Sequence, residues 1–304
     1  MTEMLTPRAL KPGDGVAIVS PAGIIKPALV YEAMMVLAEQ GWKPVAGLHT
    51  FDRFGTFAGT DEARYDDLEW ALTDPQIRAI VCSRGGYGTV RLLERLDRLP
   101  LRDDPKWIVG YSDITALHAL MGKHGIMSIH AGMCKHLAQE WGHDEDSRRL
   151  FALLRGERPE VVSAPHPLNR RGEAAGILRG GNIAVMGGLQ DTPYSIPKPD
   201  TILFIEDIAE AIYKVERMLY NLHLSGAMRN ISGLIVGQFT NYEPSRDFAC
   251  MEDMIARVVE PYDFPVAYGV AIGHQFHNIP MLCGDRVSMK VDETGLNLRY
   301  CTTT

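Results

Sequence analysis

No apolar run in the chain approaches the roughly 20 residues needed to cross a bilayer, which argues against a membrane-spanning protein. The N-terminal stretch MTEMLTPRALKPGD carries Glu3 and two prolines and has no apolar h-region, so no signal peptide is expected. Positive charge is also short. Against 38 aspartates and glutamates stand 31 lysines and arginines, a formal net charge of -7 over 304 residues. A nucleic acid or an anionic membrane surface would favour a basic face, so neither is expected as a partner, although a local basic pocket is still allowed. Cysteine is sparse: Cys82, Cys134, Cys250, Cys283 and Cys301 are odd in number, widely spaced and form no C-x-x-C pair. That excludes a disulfide framework and points to reduced thiols in a cytoplasmic protein. Cys82 lies inside an apolar run, where a small hydrophobe explains it best. Internal repeats and low-complexity tracts are absent as well.

What is present is a chain that is 46% hydrophobic and 23% charged, ordinary for a globular protein with a sizeable core. The first half alternates short apolar strands with helical patterns. Asp14 to Ser20 reads as a strand ending in the turn Pro21-Ala22-Gly23, followed by a helix from about Pro27 to Gln40, with proline well placed near its start. Ala79 to Ser83 is the next strand, then Arg84-Gly85-Gly86-Tyr87-Gly88, then a helix through Arg98. Trp107 to Gly110 is a third strand, and a helix runs from about Asp113 to His124. Such alternation predicts a parallel sheet covered on both faces. From residue 156 the pattern lapses into GERPEVVSAPHPLNRR, three prolines without apolar periodicity, read as a linker. The expected organisation is therefore an N-terminal domain over 1–155, a linker over 156–172 and a C-terminal domain over 173–304. In the latter, Thr201 to Glu206, Ile231 to Phe239, Val287 to Val291 and Leu296 to Tyr300 read as strands and Ala209 to His223 as a helix, an α+β or barrel-like pattern.

Four features bear on chemistry. Gly110-Tyr111-Ser112-Asp113 places a serine where a strand turns into a helix, the setting of a nucleophile elbow whose helix start supplies N–H groups for an oxyanion. It lacks the second glycine of G-x-S-x-G, and an N-cap serine is the alternative at such a position. The glycine loop 84–88 closes the preceding strand at the edge where open parallel sheets bind ligands. It is not G-x-G-x-x-G, and the first strand also lacks that fingerprint, which counts against a dinucleotide cofactor. Glu206 and Asp207 close a strand, with Glu210 as a competing acid. His274, in Gly273-His274-Gln275-Phe276-His277-Asn278, follows a strand-like run in a polar loop; His277 beside it would make a metal pair, but no third ligand stands at a recognisable spacing. Together, Ser112 as nucleophile, His274 as base and Glu206 as its orienting acid describe an acyl-transfer site.

These motifs, in order and spacing, resemble the serine LD-carboxypeptidase family. So do Val19-Ser20-Pro21-Ala22-Gly23, Arg179-Gly180-Gly181-Asn182 and Val215-Glu216-Arg217-Met218-Leu219, and the likeness runs from about Lys11 to Val291. The resemblance implies an N-terminal flavodoxin-like α/β domain with a parallel sheet and a C-terminal α+β domain with a barrel-like sheet. It implies Ser112, Glu206 and His274 as the catalytic triad and the backbone N–H groups of Gly86 and Asp113 as the oxyanion hole. No metal, no organic cofactor and a homodimer are implied too. The implied reaction releases the terminal D-Ala from a murein tetrapeptide during peptidoglycan recycling. A related activity, microcin-C immunity, cleaves peptidyl or aminoacyl nucleotides. No long insertion of the kind those members carry is evident here, and Trp141 is the one loop-like aromatic that keeps this alternative open, beside a non-catalytic peptide binder. A carboxypeptidase must also hold a free carboxylate, for which Arg84 is the candidate, with Tyr87 as a further substrate contact.

Overall fold

In the computed structural model, which describes residues 4–301, the chain divides into two compact units. One comprises the residues up to Glu157 together with Pro280–Leu282, the other Arg158–Ile279 and the residues from Cys283 onward.

The first unit runs β1 (Gly15–Val19), α1 (Pro27–Glu39), β2 (Lys43–Ala46), α2 (Asp61–Thr73), β3 (Ile77–Cys82), α3 (Leu93–Leu96), β4 (Trp107–Gly110), α4 (Thr115–Lys123), β5 (Ser128–His130), α5 (Cys134–Glu140) and α6 (Glu145–Leu154). Its strands β2, β1, β3, β4 and β5 lie side by side in that order and are parallel throughout. This is the 2-1-3-4-5 order of a flavodoxin-like sheet, with the chain reversing direction across the sheet between β1 and β3. Every residue of β3 and β4 is buried, as expected of strands covered on both faces. The helices follow their local signals. Pro27 opens α1, which turns Val30, Ala33, Val36 and Leu37 inward, while the Thr60 hydroxyl accepts from Ala63 N at 3.2 Å to cap α2.

The second unit holds β6 (Val161–Ser163), β7 (Gly172–Asn182), α7 (Ile183–Leu189), β8 (Thr201–Ile208), α8 (Ile212–Leu224), β9 (Ile231–Thr240), α9 (Met251–Val259), β10 (Val266–Ala267), β12 (Arg286–Asp292) and β13 (Gly295–Tyr300). Between β10 and β12 comes β11 (Met281–Cys283), which leaves for the edge of the first sheet beside β5. The order of the second sheet is β10-β9-β8-β7-β12-β13-β6, parallel from β7 to β10 and antiparallel from β7 through β12 and β13 to β6. The segment read as a linker thus supplies an edge strand, Val161–Ser163. Barrel-like closure goes no further than one bridge, Arg170 to Val266; the ladders among the described residues define a mixed sheet. Among those residues, no helix is long and apolar enough to cross a membrane.

Candidate active site

In the first unit, three loops leave the carboxyl ends of β1, β3 and β4, the edge where doubly wound sheets place their ligands. The buried ends of β1 and β3 are tied by hydroxyls. Ser20 Oγ lies 2.8 Å from the Thr50 carbonyl and 2.6 Å from Ser83 Oγ. A carbonyl only accepts, so Ser20 donates to it and Ser83 donates to Ser20. The loops then pack backbone to backbone: Gly23 N donates to Gly85 O at 3.1 Å, and the buried Arg64 guanidinium donates to the Pro21 carbonyl and to Asp61.

Ser112 sits half-buried at the first position of a single 3-10 turn, Ser112–Ile114, that leads into α4. Its φ is 65°, in the left-handed region that L-residues avoid. Neither helix start here has a side-chain cap, so the N-cap alternative does not describe the serine. A Cβ placed on Gly85 would stand 2.8 Å from Ser112 Cβ and 2.9 Å from its Oγ. Only glycine lets that loop pass beside the hydroxyl. Gly86, next along, has φ 137° and lies exposed, and Asp113 is 4% exposed, its carboxylate accepting from Thr89 N at 2.9 Å.

Behind the turn, His118 Nε2 lies 2.9 Å from the Gly110 carbonyl and Nδ1 lies 2.8 Å from Ser128 Oγ. The carbonyl requires the proton on Nε2, so Ser128 donates to Nδ1. Burial pushes the His118 pKa down to about 3, with the neighbouring His130 acting in the same direction. Arg84 is exposed and its Nη1 donates to Ile24 O at 2.8 Å, while the exposed Tyr87 ring packs on Phe57, with centroids 4.7 Å apart.

In the second unit, Glu206 is fully buried on β8 and its Oε2 lies 2.7 Å from His274 Nδ1. An irregularity in β9 prepares this contact. Between the pairs Ile205↔Val236 and Asp207↔Phe239, β9 has one residue more than β8, the signature of a bulge. The extra backbone docks the histidine loop: Gln238 N donates to Ile272 O at 2.8 Å and the Gln238 side chain donates to Val270 O at 3.1 Å. Gly273 follows with φ 117°, where a Cβ would meet Glu206 Oε2 at 2.7 Å, and its N–H donates to Asn278 Oδ1 at 2.9 Å. A carboxylate only accepts, so the shared proton belongs to Nδ1, which fixes the ring's orientation and assigns the base's role, when the ring is neutral, to Nε2.

Alternation along β8 sends Asp207 elsewhere. Its carboxylate accepts from Asn182 Nδ2 at 2.8 Å and from Ala184 N at 2.9 Å at the start of α7. Burial, aided by the Glu206 charge, raises its pKa to about 6. Glu210, the competing acid, pairs with Lys214 at 3.3 Å. His277 is exposed against Phe276. Among the described residues, His136, Asp144 and Asp146 come close enough together for a metal set. Asp144 there is the N-cap of α6, accepting from Ser147 N at 2.9 Å and pairing with His136 at 3.0 Å. The sequence does not mark Thr89, Gln238 and Asn278 as supports of the site: Thr89 acts through its own N–H, while Gln238 and Asn278 hold backbone groups of the histidine loop, and no spacing signals such contacts.

Residues 16–131 match the LD-carboxypeptidase N-terminal domain and residues 175–289 the LD-carboxypeptidase C-terminal domain. The chain belongs to the LD-carboxypeptidase family. Within that family it is similar to a probable murein peptide carboxypeptidase of Bacillus subtilis, 31% identical over 94% of this chain and 92% of the relative. A solved relative, muramoyltetrapeptide carboxypeptidase from Oxalobacter formigenes, is 27% identical with a TM-score of 0.84, covering 95% of this chain and 99% of its own. An MccF-like protein from Bacillus anthracis shares the fold at a TM-score of 0.86 and 24% identity, over 98% of this chain and all of its own.

Proposed function

We propose that the protein is a serine carboxypeptidase that hydrolyses the L,D-peptide bond of a murein tetrapeptide and releases the terminal D-Ala. The observation that carries this reading is Ser112, held at φ 65° on the step from β4 to α4. Strain of this kind persists where surrounding structure enforces it, and active sites are where it clusters. The Glu206–His274 pair supplies the matching base.

In this reading Ser112 Oγ attacks the scissile carbonyl and His274 Nε2 takes its proton. Glu206 holds the imidazole and stabilises the imidazolium. The tetrahedral oxygen is stabilised by N–H groups of Gly86 and Asp113, worth about 10²–10³ in rate per donor. Collapse breaks the C–N bond, and His274 returns the proton to the departing amine of D-Ala. Water then attacks the acyl-serine with His274 again as base, which frees the tripeptide and restores Ser112. Arg84 and Tyr87 are the side chains proposed to contact the substrate. Every proton in this sequence passes through His274, so the reaction calls for neither metal nor organic cofactor. The same reading places the enzyme in the cytoplasm as a homodimer, with neither nucleic acid nor membrane as partner, in keeping with the net charge of -7. Light scattering on the purified protein checks the dimer.

The deciding experiment incubates wild type and Ser112→Ala with murein tetrapeptide and, separately, with an aminoacyl-sulfamoyl adenosine, and follows products by mass spectrometry. D-Ala release by wild type alone supports the proposal. Cleavage of the nucleotide instead would move it to the microcin-immunity reading, and tight binding without turnover would make the protein a peptide binder.

A further inference from the structure

The Asp113 side chain has a place of its own, separate from its backbone N–H. The loop that carries Gly86 N–H contains two glycines at positive φ, Gly86 at 137° and Gly88 at 107°, the kind of backbone that wanders unless restrained. At its near end the loop is fastened by Gly23 N to Gly85 O, 3.1 Å. At its far end the fastening is Thr89 N to Asp113 Oδ2, 2.9 Å, between residues that are 0% and 4% exposed. The Phe57 ring packs against Gly88, where a Cβ would meet it at 2.7 Å. A carboxylate is also a stronger acceptor for an N–H than a neutral oxygen.

The residue beside Ser112 that offers one oxyanion donor therefore grips, through its carboxylate, the segment that offers the other. We infer that the Asp113 carboxylate is a positioning residue that fixes the Gly86 N–H relative to the N–H of Asp113. The inference rests on the serine-hydrolase reading above. In it, Asp113 sets the width of the oxyanion hole and touches no reacting atom with its side chain.

The test compares Asp113→Ala and Asp113→Asn with wild type, counting active sites by titration with a fluorophosphonate probe. Asp113→Ala lowers kcat per titrated site by about 10²-fold, the scale of losing one oxyanion donor, and raises Ki for a peptide boronate by a similar factor. KM changes by less than about threefold, because ground-state binding is untouched. Asp113→Asn, whose amide oxygen accepts the same N–H, recovers most of the loss. Ala119→Gly in the buried face of α4 serves as the control for a destabilised fold: it lowers the unfolding midpoint and leaves kcat per titrated site near wild type. The inference is overturned if Asp113→Ala keeps kcat within about threefold of wild type, if Asp113→Asn is no better than Asp113→Ala, or if Ala119→Gly reproduces the loss. If the probe fails to label Ser112, or Ser112→Ala turns over tetrapeptide like wild type, the serine reading falls and this inference with it. Full labelling together with an undiminished Asp113→Ala rejects the inference alone.

Discussion

Ser112 carries a conformational cost of about 1–2 kcal/mol simply by standing at φ 65° with a Cβ. Removing its hydroxyl and removing its strain are therefore different experiments. On the proposed mechanism Ser112→Ala is expected to lose D-Ala release by about 10⁴–10⁶-fold, as members of a triad act as a unit. Ser112→Gly loses it equally but unfolds at higher urea than Ser112→Ala, the reverse of the order in a helix, where glycine is the poorer residue. Equal urea midpoints for the two variants would deny the strain. Gly273 makes the matching case in the second unit. A methyl group there meets Glu206 Oε2 at 2.7 Å and Glu206 Cβ at 2.8 Å, on a backbone at φ 117°. Gly273→Ala is expected to part the 2.7 Å Glu206–His274 contact and to lower kcat by about 10²-fold or more. A crystal structure of the variant with that contact intact would contradict this account.

Elements in the two units differ in how plainly they could be read. Strands β1 and β4 and the Ala79–Cys82 part of β3 are unbroken apolar runs closed by Gly, Pro and Ser, and their composition suffices; β3 begins two residues earlier, at Ile77, with Arg78 between. The sequence does not mark the 11-residue β7 as a strand: Gly172-Glu173-Ala174-Ala175-Gly176 is weak in β-formers, and Gly180 and Gly181 look like a turn. Its glycines answer to a neighbour, since a Cβ on Gly180 would lie 1.9 Å from Phe204 O on β8. The helix expected through Arg98 begins instead as a 3-10 turn, Thr89–Leu92, and α8 starts at Ile212 rather than Ala209, which has φ 60°. The start of α7 is a joint between elements. Asn182 caps it by accepting from Val185 N at 3.1 Å while donating to Asp207 on β8. Asn182→Ala is expected to cost about 1–2 kcal/mol in chemical denaturation, the upper part of the N-cap range, because the buried Asp207 loses a donor too. A loss below about 0.5 kcal/mol would mean that the joint is not bearing on stability.

Across the molecule, two buried groups give the units opposite responses to acid. His118 in the first unit is held near pKa 3, below an ordinary histidine. The unfolded chain therefore takes up a proton that the folded one refuses, and this contribution, full above about pH 6.5, drains away as pH falls towards 3. Asp207 in the second unit is held near pKa 6, above an ordinary aspartate. There the folded chain binds the extra proton, so stability is gained as pH falls from about 6 to about 4. Hydrogen exchange at pH 7 and pH 5, corrected for intrinsic rates, should show β4, β5 and α4 losing protection relative to β7, β8 and α7. Equal changes in both sets would argue against this pairing of slopes.

The chain by itself determined the alternating α/β pattern of its first half, the glycine loop, the serine step and the acid and histidine motifs, because these depend on periodicity and on residues close in sequence. Tertiary structure decided what depends on distant partners. It bent Ser112 to positive φ, opened a bulge in β9 for the histidine loop, and paired Glu206 with His274 across 68 residues of sequence. It also turned Asp207 away to α7, carried β11 back to the first sheet, and set the Asp113 carboxylate on Thr89. Such outcomes rest on close approach and ladder register, which are properties of neighbouring chain segments and leave no periodic trace in either one.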